Sequence, residues 1–475
     1  MKIISKTLKI LPLLLFVFAF QSCSNDDDNN TTILPQQLDV VDTAIATPQL
    51  SSLVAALQAA DGDLVTLLRG SGPFTVLAPT NDAFSAFLNA NGFTQLSEVP
   101  TDVLAQILLN HVISADVSAA DLVSLSGADG KGYTRTNASG AGNENVSILF
   151  DTNGALPRFN NTASVVSADL ANISTSNGTV HVIDAVLGLP DIVDHAINND
   201  NFTSLTGALT SENLVSTLQG AGPFTVFAPT NDAFAGFTNP NGNALSNILL
   251  NHVLIGTTAI STGLASGYVS TGATNADGDA LSLYVNVGEN GSVMLNGSSM
   301  VAVTDVVGTN GVIHVVDNVI DLPSIATFAT SNAALGNLVA ALQLADTGSP
   351  TVPWIGTTSD VSAGPFTVFA PTNGAFEDLL VELDPSGSTT LGDLDPATVD
   401  AVLLMHVASG NVRAADLPSL MGTIPTLGGD LSLDVNTLTI TDGLMRDIGI
   451  IAELTDIQAM NGVVHVVDTV IRPTP

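Results

Sequence analysis

Six of the seven histidines recur in register along this chain, and histidine is the side chain best suited to metal binding or proton transfer near neutral pH. His111, His252 and His406 each close an apolar pattern of helical period, as in Leu108-Leu109-Asn110-His111-Val112. His181, His314 and His465 each sit in a β-branched run, three residues before Asp184, Asp317 or Asp468. Two imidazoles beside a carboxylate could hold a metal ion. A buried imidazole can equally satisfy both nitrogens with backbone groups or an Asn side chain, and a triplicated unit copies the needs of its fold as faithfully as a site. All six are therefore read as structural, with no catalytic residue, metal or cofactor assigned. His195 has no counterpart and is read as a surface residue. Replacing His181, His314 and His465 separates the cases: a structural role costs folding, whereas a hydrolase built on His and Asp pairs stays folded and loses activity.

Other chemistry is thinly supplied. The patterns GxSxG, SxxK and HExxH are absent, and Lys131 is the sole lysine after Lys9, which removes Schiff-base and phosphate-clamping roles. The glycine-rich stretch Gly127 to Gly132 lacks the motif of a phosphate loop. A single cysteine, Cys23, excludes disulfides, CxxC redox pairs and thiolate zinc sites. Asn275-Ala276-Asp277-Gly278-Asp279 could offer oxygens to Ca²⁺, but its spacing is not that of an EF-hand and it reads as a polar hairpin turn. With 45 acidic against 10 basic residues, a formal net charge of −35, the surface repels phosphate backbones, so nucleic acid is excluded as a partner. Such a surface also suits a saline habitat; a gain in folding stability between dilute buffer and sea-water salt is the expected sign.

The chain begins with an address. Lys2, Lys6 and Lys9 precede the apolar run Ile10 to Phe20, too short to span a bilayer, and Phe20-Gln21-Ser22-Cys23 resembles the lipobox of bacterial lipoproteins. That resemblance implies removal of residues 1–22 and lipidation of Cys23, giving a membrane anchor. Residues 23–34 form an acidic tether, similar to the tract that follows the cysteine in surface-exported lipoproteins of Bacteroidetes-type bacteria. The expected location is the outer membrane, facing outward.

The rest is built from a repeat. Gly72-Pro73-Phe74-Thr75-Val76-Leu77-Ala78-Pro79-Thr80-Asn81-Asp82-Ala83-Phe84 returns from Gly222 and again from Gly364, and Asn177-Gly178-Thr179-Val180-His181-Val182-Ile183-Asp184 returns from Asn310 and Asn461. Three domains follow: 35–189, 190–322 and 323–475. Each is long enough to own a core, and the short Pro-containing links predict semi-rigid beads on a string. Leu53, Leu57, Leu64 and Leu68 predict one amphipathic first helix, and Phe74 to Ala78 a buried strand. Thr80 caps a helix running to about Phe87, and Val103 to Val112 carries another. Ser147 to Phe150, Ser164 to Val166 and Thr179 to Ile183 read as strands between Asn/Gly/Ser turns. The class is α+β.

These blocks resemble the two hallmark segments of the fasciclin-type adhesion domain, TVFAPTNxAF and NGxxHxxDxVL, with a histidine between them. The resemblance covers Pro35 to Arg472 three times over. It implies a wedge-shaped β-sandwich packed against several helices, in secreted or surface-anchored proteins that mediate cell adhesion. Where animal members show Tyr before the middle histidine, this chain has Asn110, Asn251 and Met405, so animal integrin binding is not carried over. The third copy has Gly374 at the helix start where the others have Asp82 and Asp232, losing a favourable partner of the helix dipole.

The expected function is non-enzymatic adhesion or binding through three tandem domains, with extracellular protein or polysaccharide ligands and room for homotypic contacts. The rival is a glycan-binding component of a polysaccharide uptake system. It calls for an aromatic platform, yet the chain has 1 Trp and 3 Tyr, leaving Trp354 in the insertion of the third copy as the candidate contact.

Overall fold

The computed structural model describes residues 37–437 and 439–474. The signal segment, Cys23 and the acidic tether lie outside them.

The architecture is α+β, and in the first copy it begins with helices Val40–Ala46 and Ser51–Ala59. The single helix expected through Leu68 is two, because the chain turns extended at Ala60 and left-handed at Gly62 (φ 86°) and Asp63 (φ 48°) before Leu64–Leu68 restarts. Thr80 caps as expected: its hydroxyl accepts from the Ala83 N–H at 3.2 Å, starting helix Asn81–Ala90. Thr230 and Thr372 repeat that bond with Ala233 and Ala375.

The two repeated segments meet in the middle of each copy. Strand Phe74–Pro79 runs parallel to Gly178–Ile183, with Phe74 opposite Gly178 and Leu77 opposite His181. The second and third copies reproduce the pairing, Phe227 facing His314 and Phe369 facing His465. Gly178 allows the close approach: its φ is 152°, and a Cβ there would sit 1.9 Å from the Phe74 carbonyl oxygen. Val112–Ile113 and Ile173–Thr175 complete a four-stranded sheet.

Alternation along these strands divides the core in two. Val76, Ala78, Val180 and Val182 face the helices with Leu53, Leu57, Phe84 and Leu104. Leu77 and Ile183 face the other way, against Ile148, Phe150 and Phe159 of a second four-stranded sheet that begins with Lys131–Ser139 and Asn145–Asp151. In the second copy the long strand Ser299–Val307 joins both layers, so one seven-stranded sheet replaces the two; the third copy has one of eight.

The copies do not sit as beads that each keep to their own core. Tyr133 of the first copy packs into the helical core of the second, and Tyr268 and Tyr284 of the second into that of the third, beside Ile325, Phe328 and Leu335. The bonds across the two junctions correspond. Asn199 Nδ2 donates to the Tyr133 hydroxyl at 3.0 Å, and Asn332 Nδ2 to that of Tyr268 at 3.1 Å. The Ser147 hydroxyl accepts from the Val307 N–H at 2.9 Å, and that of Ser282 from the Gln458 N–H at 3.0 Å. Short links thus bring matching surfaces together, and burial of the tyrosines holds them.

Candidate functional site

The histidines are placed by two different devices. On the helical side, His111 Nδ1 donates to the Ile107 carbonyl at 2.7 Å and its Nε2 accepts from the Leu187 N–H at 2.9 Å. His252 joins Ile248 to Ile320 and His406 joins Val402 to Ile471 in the same way. Each imidazole therefore pins the segment leaving the last strand to the end of a helix. On the strand side, His181 Nε2 donates to the Val117 carbonyl at 2.9 Å and its Nδ1 accepts from the Asn172 N–H at 3.2 Å. His314 and His465 repeat this with Ala259 and Asp305, and with Val412 and Asp456. Both nitrogens are committed in all six, which fixes neutral tautomers. Burial pushes His111, His252 and His406 down to about 4, against the opposing pull of the carbonyl each one meets. Burial also lowers His181, His314 and His465.

The carboxylates beside the strand histidines have their own work. Asp184 accepts from the Ser164 N–H, Asp317 from that of Met300 and Asp468 from that of Gly449. Among the described residues no group of three His, Cys, Asp or Glu is placed to hold a metal.

The asparagine that opens the second motif does more than turn the chain. Asn177 Oδ1 accepts from the Val40 N–H at 3.0 Å, and its Nδ2 donates to the Leu68 and Gly70 carbonyls, both at 2.8 Å. Asn310 and Asn461 make the same three-way staple to Ile192, Leu218 and Gly220, and to Ile325, Thr358 and Asp360. The motif asparagine Asn81 likewise accepts from the Ser52 N–H and donates to the Pro48 carbonyl. No spacing rule signals these partners, since Val40 and Asn177 are 137 residues apart.

Two expectations need correction, and a third gains a contact. Trp354 is no surface contact: it is 2% exposed in the core of the third copy, and its indole N–H donates at 2.7 Å to Asp400, itself buried. The insertion carrying it folds back as helix Trp354–Ser359 because that pairing satisfies the one polar atom of a large apolar ring. His195 is not on the surface but fully buried, its Nε2 donating to the Val307 carbonyl and its ring edge-on to Tyr133 at 5.9 Å. The first-copy tyrosine that covers it belongs to a different domain, which the local sequence could not show. Asn275 to Asp279 does form the expected turn, with Asn275 Oδ1 accepting from the Asp277 and Asp279 N–H groups, but it also reaches the third copy. There Arg413 pairs with Asp279 at 2.8 Å, and Asn411 donates to both carboxylates.

Two cavities of about 300 Å³ exist among the described residues. One is apolar, within the third copy, with His406 and Arg472 on its wall. The other lies between the first and second copies, lined by Tyr133, Leu149, Asn199 and Phe202 and edged by Asp129 and Lys131.

Comparison with known proteins gives the following. The fasciclin domain family model matches residues 48–190, 200–323 and 337–473. The chain is similar to pig transforming growth factor-beta-induced protein ig-h3, 28% identical over 450 residues that cover 93% of this chain and 58% of that protein. It is 27% identical to human periostin over 339 residues, 67% of this chain and 35% of that one. Protein sll1483 of Synechocystis is 38% identical over 150 residues, 32% of this chain and 73% of its own length. The chain thus spans only part of the length of these relatives. Among solved structures, a FAS1 domain pair from the insect cell adhesion molecule fasciclin I aligns at a TM-score of 0.34 and 19% identity, covering 59% of this chain and 98% of that one.

Proposed function

The chain belongs to the fasciclin-domain family, found in cell-adhesion proteins, and from that premise we propose that it is a non-enzymatic adhesion or binding lipoprotein displayed on the outer membrane. The observation that carries the proposal is the use made of the repeated polar residues. The repeated histidines, the asparagines of both motifs and the carboxylates of the second bond to the backbone of their own copy, so the motifs maintain a scaffold and leave its outer surfaces for recognition. Lipids on Cys23 would tether that scaffold, since two or three acyl chains hold where one does not. Three domains on one anchor then add modest affinities through effective concentration, with extracellular proteins or polysaccharides as partners.

Two measurements test this. Cys23→Ser should release the protein from the membrane fraction into the soluble one; unchanged membrane partition removes the anchor. The lipid-free ectodomain, laid on arrays of matrix proteins and glycans, should bind more tightly than any single domain. Equal binding by each domain alone would remove multivalency, and binding to neither array would sink adhesion.

A further inference from the structure

The two junctions between copies are the same interface used twice, yet one is filled and the other open. Tyr133 pairs across its strands with Leu149, and Tyr268 with Tyr284, so Leu149 and Tyr284 are equivalent positions. At the second junction the Tyr284 ring lies 4.9 Å from that of Tyr268, and its hydroxyl donates to Asn332 Oδ1 at 3.4 Å. At the first junction Leu149 supplies neither ring nor hydroxyl. Asn199 Oδ1 there accepts only from the Asn201 N–H, at 3.1 Å, and the space is the cavity of about 300 Å³.

The rims differ in the same sense. Counting from the paired tyrosines and asparagines, the open cleft carries Asp129, Lys131, Asp200 and Asn201 where the filled one carries Leu264, Ser266, Ala333 and Ala334. Lys131, the sole lysine after Lys9, pairs with Asp200 at 3.0 Å, and Asn201 Nδ2 donates to Asp129 at 2.7 Å. Polar side chains are thus gathered where a ring is missing and dispensed with where the protein supplies its own. A cleft between domains with apolar walls and a few convergent polar groups is the usual form of a small-ligand site.

We propose that this cleft binds a neutral sugar ring of an extracellular saccharide. The pyranose takes the place that Tyr284 fills at the other junction, against Tyr133 and Phe202, and one hydroxyl donates to Asn199 Oδ1 as the tyrosine hydroxyl does to Asn332. Further hydroxyls reach the Asp129 carboxylate, beside the bond it accepts from Asn201, and the Tyr133 oxygen, beside the one it accepts from Asn199; a ligand with a single hydroxyl makes neither contact. A net charge of −35 disfavours an acidic sugar, and the one nearby ammonium is already paired. The proposal gives the adhesion reading a ligand class, and rests on that reading only for the ligand's extracellular source.

The test is a calorimetric titration of the full chain with D-glucose, D-galactose and D-mannose, and separately with phenol. At least one hexose should bind at one site per chain, with Kd on the order of 1 mM. Leu149→Tyr should weaken that binding at least tenfold without lowering the thermal midpoint, because the second junction already accommodates a tyrosine there. If that variant does not fold, Asp129→Asn combined with Asn201→Ala should give the same loss from the rim. Absence of hexose binding, binding of phenol alone, or undiminished hexose binding in the folded variants overturns the proposal. Adhesion is scored apart, with whole cells on immobilised matrix. Hexose binding without any adhesion defect on deleting the protein would sink adhesion and keep the cleft, whereas adhesion that persists with no hexose binding would sink the cleft alone.

Discussion

A buried imidazole with both nitrogens bonded has one protonation state it can occupy without losing a partner. In His111, His252 and His406 a proton on Nε2 would break the bond from the Leu187, Ile320 or Ile471 N–H. Burial accordingly holds these three, and His195, down to about 4, whereas an unfolded chain titrates near 6.5. The sign follows directly. Between about 6.5 and about 4 the unfolded state binds more protons than the folded one, so stability falls as pH drops through that window, by up to about 1.4 kcal/mol per pH unit for each histidine. Carboxylates that the fold holds low, such as Asp384 at about 2, act below that window. Urea unfolding free energies should therefore drop between pH 7 and pH 5; equal values would show that these imidazoles are not held neutral. The burial of the motif histidines was legible from the sequence, because a β-branched strand and an apolar helix both bury them. Their partners were not legible, since a carbonyl acceptor leaves no mark in residue type.

Among the elements, the helix after the first motif strand shows how a local rule survives or fails. Its capping threonine works in all three copies because the N-cap hydroxyl and the N–H that donates to it lie on the same turn. In the third copy that helix, Asn373–Leu383, starts without an acidic residue, since Gly374 stands where Asp82 and Asp232 stand in the others. A Cβ at Gly374 would meet nothing closer than the Thr372 hydroxyl at 3.8 Å, so a side chain is sterically free there. Gly374→Asp should stabilise the chain by about 0.3 to 1 kcal/mol from the dipole, and by a similar amount again from the lost flexibility of glycine. Thermal unfolding at low ionic strength checks it, and a lowered midpoint would contradict it. The helix Ser51–Ala59 behaved otherwise: the leucine spacing runs on to Leu64 and Leu68, but the chain turns extended at Ala60 and left-handed at Gly62 and Asp63 before a new helix starts. Hydrophobic period alone does not see such a break.

For the molecule as a whole, the informative feature is that one junction is built twice. A tyrosine from one copy enters the helical core of the next and is met by an asparagine side chain, so the copies share cores as well as links. The outer faces lack the pair: Thr47 stands where Asn199 and Asn332 do, and Thr423 where Tyr133 and Tyr268 do. Tyr268→Ala removes the Asn332 bond and the edge contact with Phe328 at 5.5 Å, which should cost about 2 kcal/mol and uncouple the third copy. Calorimetric unfolding should then resolve a separate, earlier transition; an unchanged thermogram would mean that the copies already unfold independently.

The amino-acid sequence by itself determined the triplication, the α+β class and the inward fate of six histidines. These follow from composition, period and recurrence, which are properties of neighbours along a chain. Only the tertiary structure decided what each polar side chain touches. It put Trp354 and His195 inside, made a staple of Asn177, and left a cleft at one junction that Tyr284 fills at the other. The reason is physical. Burial and hydrogen bonding depend on which surfaces meet across more than a hundred residues, and no local periodicity encodes that distance.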